Sequence, residues 1–203
     1  MTEHNQFDSV TWVYDRLVYW VFGNRLMEAT CAHFDQVKTT DKILVLGGGT
    51  GKLLDSLQHV ASIDYVEKSK KMLAKASSRQ NGKVYFIHAD FLTGFPIGQY
   101  DVIICPFFLD VFDPAELLDV LQKIWAHVKP GGLLLVSDFS PSGNIRHKIL
   151  LKAMYLFFKT FVKLSSASLL VIDEKTQDAG FELVKTTWIS SEWIFSRIYR
   201  RKG

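Results

Sequence analysis

The stretch Asp41 to Gly51, Asp-Lys-Ile-Leu-Val-Leu-Gly-Gly-Gly-Thr-Gly, constrains the fold more than any other part of the chain. Ile43 to Leu46 run uninterrupted into glycines, and beyond them Lys52, Leu53, Leu54 and Leu57 fall at helical spacing. That pattern reads as a buried strand, a tight turn and a helix. Gly47, Gly49 and Gly51 have no β-carbon, so the turn can take positive φ and let a ligand reach main-chain N–H groups where the helix opens. Two nucleotide-binding patterns fail here. A phosphate loop needs Gly-x4-Gly-Lys-Ser/Thr, but Gly47 to Lys52 is one residue short and Leu53 stands where the metal-binding hydroxyl belongs. Gly-x-Gly-x-x-Gly fails because Lys52 or Leu54 occupies the third-glycine position. What remains is Gly-x-Gly-x-Gly.

The run Ile43 to Gly51 resembles motif I of the class I S-adenosylmethionine-dependent methyltransferases, whose glycine loop passes under the methionine part of the cofactor. The resemblance implies that Gly47, Gly48, Gly49 and Gly51 line a site for S-adenosylmethionine, with S-adenosylhomocysteine as product. Val45 stands where the family usually has Asp or Glu, so the family's hold on the cofactor's amino group is not carried over.

An acid ending the second strand, near the ~20-residue offset from the turn, can accept hydrogen bonds from both ribose hydroxyls. Bonds of that charge-assisted kind contribute about 1.5–3 kcal/mol each. Asp64 and Glu67 compete for the role. Glu67 is favoured because Glu67-Lys68-Ser69-Lys70-Lys71-Met72-Leu73 is similar to the family's acid-x-Ser-x-x-Met-Leu, which places Lys68 and Met72 at the cofactor as well. By the same resemblance, Asp90 takes the adenine amine and Phe91 packs near the ring; a carboxylate accepts from an amino group and an aromatic covers a π-face. Cys105 and Phe107, where the fourth strand ends, complete the expected cofactor site.

With 203 residues, 48% hydrophobic and 22% charged, the chain reads as one domain over 1–203, a helical cap at 1–40 and a Rossmann-like core at 41–203. A net charge of +3, evenly spread, does not point to nucleic acid. Cys31 and Cys105 form no Cys-x-x-Cys pattern, so no disulfide framework or zinc site is expected and a reducing, cytoplasmic setting fits. Met1 to Asp8 lacks the basic and apolar regions of a signal peptide, and no apolar run reaches the ~20 residues of a membrane span.

The expected fold is α/β: a doubly wound, seven-stranded, mostly parallel Rossmann-like sheet with a C-terminal antiparallel hairpin and an N-terminal helical cap. A first helix starts at Asp8 or Ser9, with Val10, Val13, Tyr14, Leu17 and Val18 on its apolar side, and a second covers Asn24 to Phe34. The family resemblance implies that Tyr14 and neighbouring aromatics form a lid over the cofactor. Later strands are expected at Val60 to Val66, Val84 to His88, Tyr100 to Cys105 and Leu133 to Val136. Asp113-Pro114-Ala115-Glu116 starts a helix, with Asp113 as N-cap, that stops at Lys129-Pro130-Gly131-Gly132. A short helix from Asp173 stops at Gly180, and Phe181 to Ile189 pairs with Trp193 to Arg200, turning near Ser190-Ser191.

The reading of function is methyl transfer to a small, hydrophobic acceptor. Asp138, Asp110 and Tyr14 are the candidate catalytic side chains, Asp138 as general base or substrate anchor. The six histidines form no i, i+3 or i, i+4 pair and no metal site is expected; His33 and His147 are candidate bases, with an exposed state expected for each. From Asn144 to Leu164, Lys148, Lys152, Lys159 and Lys163 share one helical stripe amid Leu, Met, Tyr and Phe. That helix suits an acceptor pocket, a dimer contact or a peripheral membrane contact over 144–164. Ser137 to Phe161 is also similar, over that segment only, to the methyltransferases of quinone biosynthesis, whose acceptors are lipidic. Two other readings stay open: an aminopropyltransferase, although Pro106-Phe107-Phe108 replaces that family's acid pair, and a non-catalytic module that kept the fold.

Overall fold

The computed structural model describes residues 22–79, 83–94, 98–140, 172–189 and 193–203. The expected first helix with Tyr14, the helix over 144–164 with His147, and the turn at Ser190-Ser191 lie outside them.

In the described residues the chain opens with helix α1 (Arg25–Cys31) and a 3-10 turn at Phe34–Gln36, then enters strand β1 (Lys42–Leu46). Strand β2 (Ser62–Glu67), helix α2 (Lys70–Ser77), strands β3 (Val84–His88) and β4 (Tyr100–Pro106), helix α3 (Pro114–His127) and strand β5 (Val128–Phe139) follow. Helix α4 (Ile172–Asp178) leads into the hairpin β6 (Phe181–Ile189) and β7 (Ile194–Arg201). The seven strands form one sheet in the order β3-β2-β1-β4-β5-β7-β6. β1 to β5 pair in parallel, and β7 runs antiparallel to both β5 and β6. This is the Rossmann-like, mostly parallel sheet with a terminal hairpin that the sequence led us to expect. Strand order reverses between β1 and β4, and in open α/β sheets ligands bind beyond the carboxyl ends of strands at such a point.

The central strands are almost wholly apolar because both faces of the sheet are covered. Alternate residues point to opposite sides. Leu44, Leu46, Ile103, Cys105, Leu134 and Val136 meet Leu117, Val120, Leu121 and Ile124 of α3 on one face. Ile43, Val45, Tyr65, Val102, Ile104 and Leu135 meet Leu53, Leu54, Leu57 and Ala76 on the other. At the carboxyl end of the sheet a separate group, Phe22, Ala29, Phe139, Ile189, Trp193 and Ile194, packs around the entry of α1.

Three local expectations are corrected. After the glycines the helix is only a 3-10 segment, Lys52–Ser56. Leu53, Leu54, Leu57 and Val60 are all buried, as helical spacing requires, but Leu57 has already left helical geometry and Ser62 begins β2. The expected stop at Lys129-Pro130-Gly131-Gly132 falls inside β5: pairing with β4 jumps from Tyr100–Val128 to Val102–Leu133, so these residues bulge out while the strand continues. Lys129 is tied there to Asp101 at 2.8 Å. The second helix ends at Cys31 rather than Phe34, since His33 has left helical geometry.

The helix starts follow local chemistry. At α2 the Ser69 hydroxyl accepts from the Met72 N–H at 3.3 Å. At α3 Asp113 occupies the N-cap position in extended conformation with proline following, but its side chain makes no capping bond. Instead its carbonyl accepts from the Glu116 and Leu117 N–H groups at 2.9 Å each.

Candidate functional site

The glycine turn sits at the carboxyl end of β1, wedged between β2 and β4. It begins where the Gly47 N–H donates to the Val66 carbonyl at 3.0 Å. Three of its glycines are required by close packing. A β-carbon on Gly47 would stand 2.7 Å from Phe108, one on Gly48 would overlap the Tyr65 ring, and one on Gly51 would stand 2.7 Å from the Ala76 methyl. Gly49 differs: among the described residues its β-carbon's nearest neighbour would be the Met72 sulfur, 4.0 Å away, and glycine is needed there for a φ of 63°. Among the described residues the turn is therefore packed below and on both flanks, and its open side lies at Gly49.

Glu67 reaches across that open side from the end of β2. One carboxylate oxygen accepts from the Gly49 N–H at 3.1 Å and the other from the Ser69 N–H at 2.8 Å. With the Lys68 backbone as a third donor, the carboxylate still has acceptor capacity left for a ligand. Burial pushes the Glu67 carboxyl above its ordinary value, against the pull of the Ser69, Gly49 and Lys68 backbone and of His88. The competing acid, Asp64, is engaged elsewhere: it accepts from the Tyr100 hydroxyl at 2.8 Å and lies 3.6 Å from the Lys42 ammonium.

Next along the strand ends, Asp90 pairs with the Lys68 ammonium at 2.8 Å and accepts from the Leu92 N–H at 3.0 Å. Burial raises the Asp90 carboxyl, but these partners outweigh it and hold the group below the usual carboxylate range. Lys68 is itself located by its carbonyl, 2.9 Å from the His88 ring. Met72 lies buried beside Gly49. Phe91 is also buried, edge-on to Phe108 at 5.9 Å, so its ring belongs to the core packing beneath the loop.

At the end of β4, the Cys105 thiol is fully buried; burial, then the nearby Asp138, pushes its pKa up. Phe107 has a φ of 51°, a left-handed conformation that side chains seldom adopt and that marks functional sites when neighbours enforce it. The enforcing contacts are a 2.7 Å bond from the Phe107 N–H to the Ser137 carbonyl and the packing of its ring on Phe139, 5.0 Å between centroids.

Asp138 and Asp110 meet below this point. Asp138 is fully buried and accepts from the Asp110 N–H at 3.2 Å and from its own neighbour's N–H, Phe139, at 2.9 Å. Burial, then the Asp110 carboxylate, drives the Asp138 carboxyl well above its ordinary value. Both oxygens thus already serve the main chain. His33, expected to be exposed, is instead buried, its Nε2 3.3 Å from the Ser196 carbonyl, and burial lowers its pKa. Tyr14 lies outside the described residues.

Sequence reasoning missed two features. Tyr65 donates its hydroxyl to the Gly49 carbonyl at 3.0 Å. The available signal was its place two residues before Glu67, hence on the same side of β2. The aromatic group at the strand ends, with Phe22 stacked on Trp193 at 5.3 Å and Phe139 tilted against Phe22 at 5.4 Å, unites residues far apart in sequence. Among the described residues no three His, Cys, Asp or Glu side chains gather as metal ligands, and no helix is long and apolar enough to cross a membrane.

Residues 43–132 match the model of the methyltransferase domain family. Over 114 residues the chain is 32% identical to the carboxy-S-adenosyl-L-methionine synthase of Desulfotalea psychrophila (strain LSv54 / DSM 12343), covering 50% of this chain and 45% of the relative. Over 150 residues it is 28% identical to the ubiquinone/menaquinone biosynthesis C-methyltransferase UbiE of Pseudomonas fluorescens (strain Pf0-1), covering 68% of this chain and 58% of the relative. The chain thus spans about half the length of these relatives. The fold is shared with magnesium protoporphyrin IX methyltransferase ChlM of Synechocystis PCC 6803, solved with bound SAH, at a TM-score of 0.72, 20% identity and coverage of 97% and 96% of the two chains. The glycine turn and Glu67 lie inside the matched residues 43–132, so this part of the chain is similar to a methyltransferase domain, and the sheet around it has the fold of an S-adenosylmethionine-dependent methyltransferase.

Proposed function

We propose that the chain transfers a methyl group from S-adenosylmethionine to a small, hydrophobic acceptor, working as a single unit of helical cap over 1–40 and core over 41–203. The observation that carries this reading is the open face at Gly49 with the buried Glu67 carboxylate lying across it. A β-carbon at position 49 would occupy that face, and a carboxylate with lone pairs to spare suits the paired hydroxyls of a ribose. The solved neighbour that holds SAH on the same fold supports the choice of cofactor.

In this reading Glu67 grips the sugar, and Asp90, held ionised by Lys68, accepts from the adenine amine. The turn around Gly47, Gly48, Gly49 and Gly51 underlies the methionine part, with Lys68, Met72, Phe91, Cys105 and Phe107 shaping the site around it. When bound, the cofactor's sulfonium supplies an electrophilic methyl, so no protein nucleophile is needed. What the chain must do is align the acceptor with the S–CH3 bond and exclude water. Phe107, Phe139, Phe22 and Trp193, packed beyond the ends of β4 and β5, suit an apolar acceptor. The relation to a quinone-pathway C-methyltransferase points the same way. Asp138, fully buried and with both oxygens bonded to main chain, fits the role of anchor for the loop carrying Asp110 better than that of base.

Two measurements test the reading. Calorimetric titration should show S-adenosylmethionine and SAH binding and decarboxylated S-adenosylmethionine binding more weakly. Tighter binding of the decarboxylated form would favour aminopropyl transfer, and no binding would leave only a non-catalytic module. Incubation with methyl-labelled cofactor and a solvent extract of cells should move label into the organic phase; label confined to aqueous products would refute the hydrophobic acceptor.

A further inference from the structure

We propose that Tyr65 is the positioning residue of the cofactor turn, its buried hydroxyl holding the Gly49 carbonyl while Glu67 holds the N–H of the same residue. The inference rests on the reading of this turn as an S-adenosylmethionine site. Two neighbouring side chains of one strand face grip the two sides of one glycine, at 3.0 and 3.1 Å. The Gly49 N–H belongs to the peptide plane before its α-carbon and the carbonyl to the plane after it, so both flanking planes are fixed.

The consequence is directional. Peptide units are planar and trans, so a carbonyl and the N–H of the next residue point opposite ways. None of the described peptide bonds is cis. With the Gly49 carbonyl drawn down to Tyr65, the Thr50 N–H is turned up toward the open side. The first plane shows the same logic: its N–H goes to Glu67, and the Gly48 carbonyl, pointing away, accepts from the Gly51 N–H at 3.3 Å. Glycine is the residue with most conformational freedom to lose, so fixing it before the ligand arrives removes an ordering cost from binding.

The surrounding residues fit this role. Tyr65 is fully buried, paired in register with Val45 and tilted on Phe86 at 5.4 Å, so its ring has one position. Gly48 carries no side chain where Tyr65 passes beneath it. Val45, buried beside Tyr65, has no polar group to offer the turn, and the Tyr65 hydroxyl supplies one from β2 instead. Burial and the Glu67 carboxylate push the phenol up, which keeps its proton available as a donor.

The test is Tyr65→Phe, which keeps the ring and deletes the hydroxyl, beside Tyr100→Phe, which deletes another buried tyrosine's hydroxyl bond, to Asp64. Calorimetric titration with SAH and thermal melting are run on both and on the wild type. Tyr65→Phe is expected to bind SAH about 3- to 10-fold more weakly, the worth of one net hydrogen bond. Tyr100→Phe is expected to bind as the wild type does, although both variants melt earlier. Wild-type affinity in Tyr65→Phe, or equal weakening in both variants, overturns the inference while leaving the cofactor reading intact. A wild type that does not bind SAH overturns the cofactor reading and this inference with it.

Discussion

Replacing Gly48 with alanine puts a methyl group against the buried ring of Tyr65. The added carbon would stand 2.5 Å from the ring's Cε2 and Cζ, where carbon atoms rest at about 3.5–4.0 Å. The ring has no exit, since Tyr65 is fully buried and leans on Phe86. Either the turn lifts or the phenol shifts by about 1 Å. Overpacking of this kind costs about 1–3 kcal/mol. The shift also breaks the bond to the Gly49 carbonyl, worth about 0.5–1.5 kcal/mol more. Gly48→Ala should therefore lose about 1.5–4.5 kcal/mol in urea unfolding, with an unchanged slope. Gly49→Ala is the contrast. Among the described residues its methyl meets nothing nearer than the Met72 sulfur at 4.0 Å, so its cost is that of a left-handed alanine, about 1–2 kcal/mol. Yet that methyl stands on the open face, so Gly49→Ala should lose SAH binding out of proportion to its stability. A Gly48→Ala protein within about 0.5 kcal/mol of wild type would refute the packing reasoning.

Other outcomes follow from the same contacts. Because burial raises the Glu67 carboxyl and ribose needs its ionised form, SAH affinity should fall with decreasing pH from a midpoint above the ordinary carboxylate value; in Glu67→Gln that dependence should vanish in titrations across pH 4.5–8. Asp138 has a native pKa above its unfolded one, so its titration favours the fold at low pH and is lost as pH rises through the native value. The stability gap between wild type and Asp138→Asn, from urea unfolding at pH 5 and pH 8, should narrow as pH rises. Lys68→Ala removes an ion pair whose lysine is mostly exposed, and melting should show a loss under about 1 kcal/mol.

The strands were legible in the sequence because buried parallel strands read as apolar runs. Val84 to His88 and Phe181 to Ile189 fall where expected, and the sheet order agrees with the resemblance that Ile43 to Gly51 and Glu67 to Leu73 carry. What was not legible depended on contacts distant in sequence. The four residues after Val128 look like a helix stop, and only pairing with Tyr100 and Val102 shows that the strand continues past them. His33 looks like a surface histidine until β7 brings the Ser196 carbonyl to it. Asp138 looks like a base at a strand end, and only the fold shows both oxygens bonded to main chain. Beyond its place two residues before Glu67, Tyr65 gives no sign of its role in the sequence, because that role comes from lying under a turn that another strand supplies.

The most direct test is a calorimetric titration of SAH into wild type and Glu67→Gln, each checked for folding by thermal melting. Wild type should bind one equivalent, and the amide should bind about 10- to 150-fold more weakly, the worth of one bond to a charged acceptor. No heat from the wild type, or equal affinity in a folded Glu67→Gln, would contradict a nucleoside held by this carboxylate across Gly49.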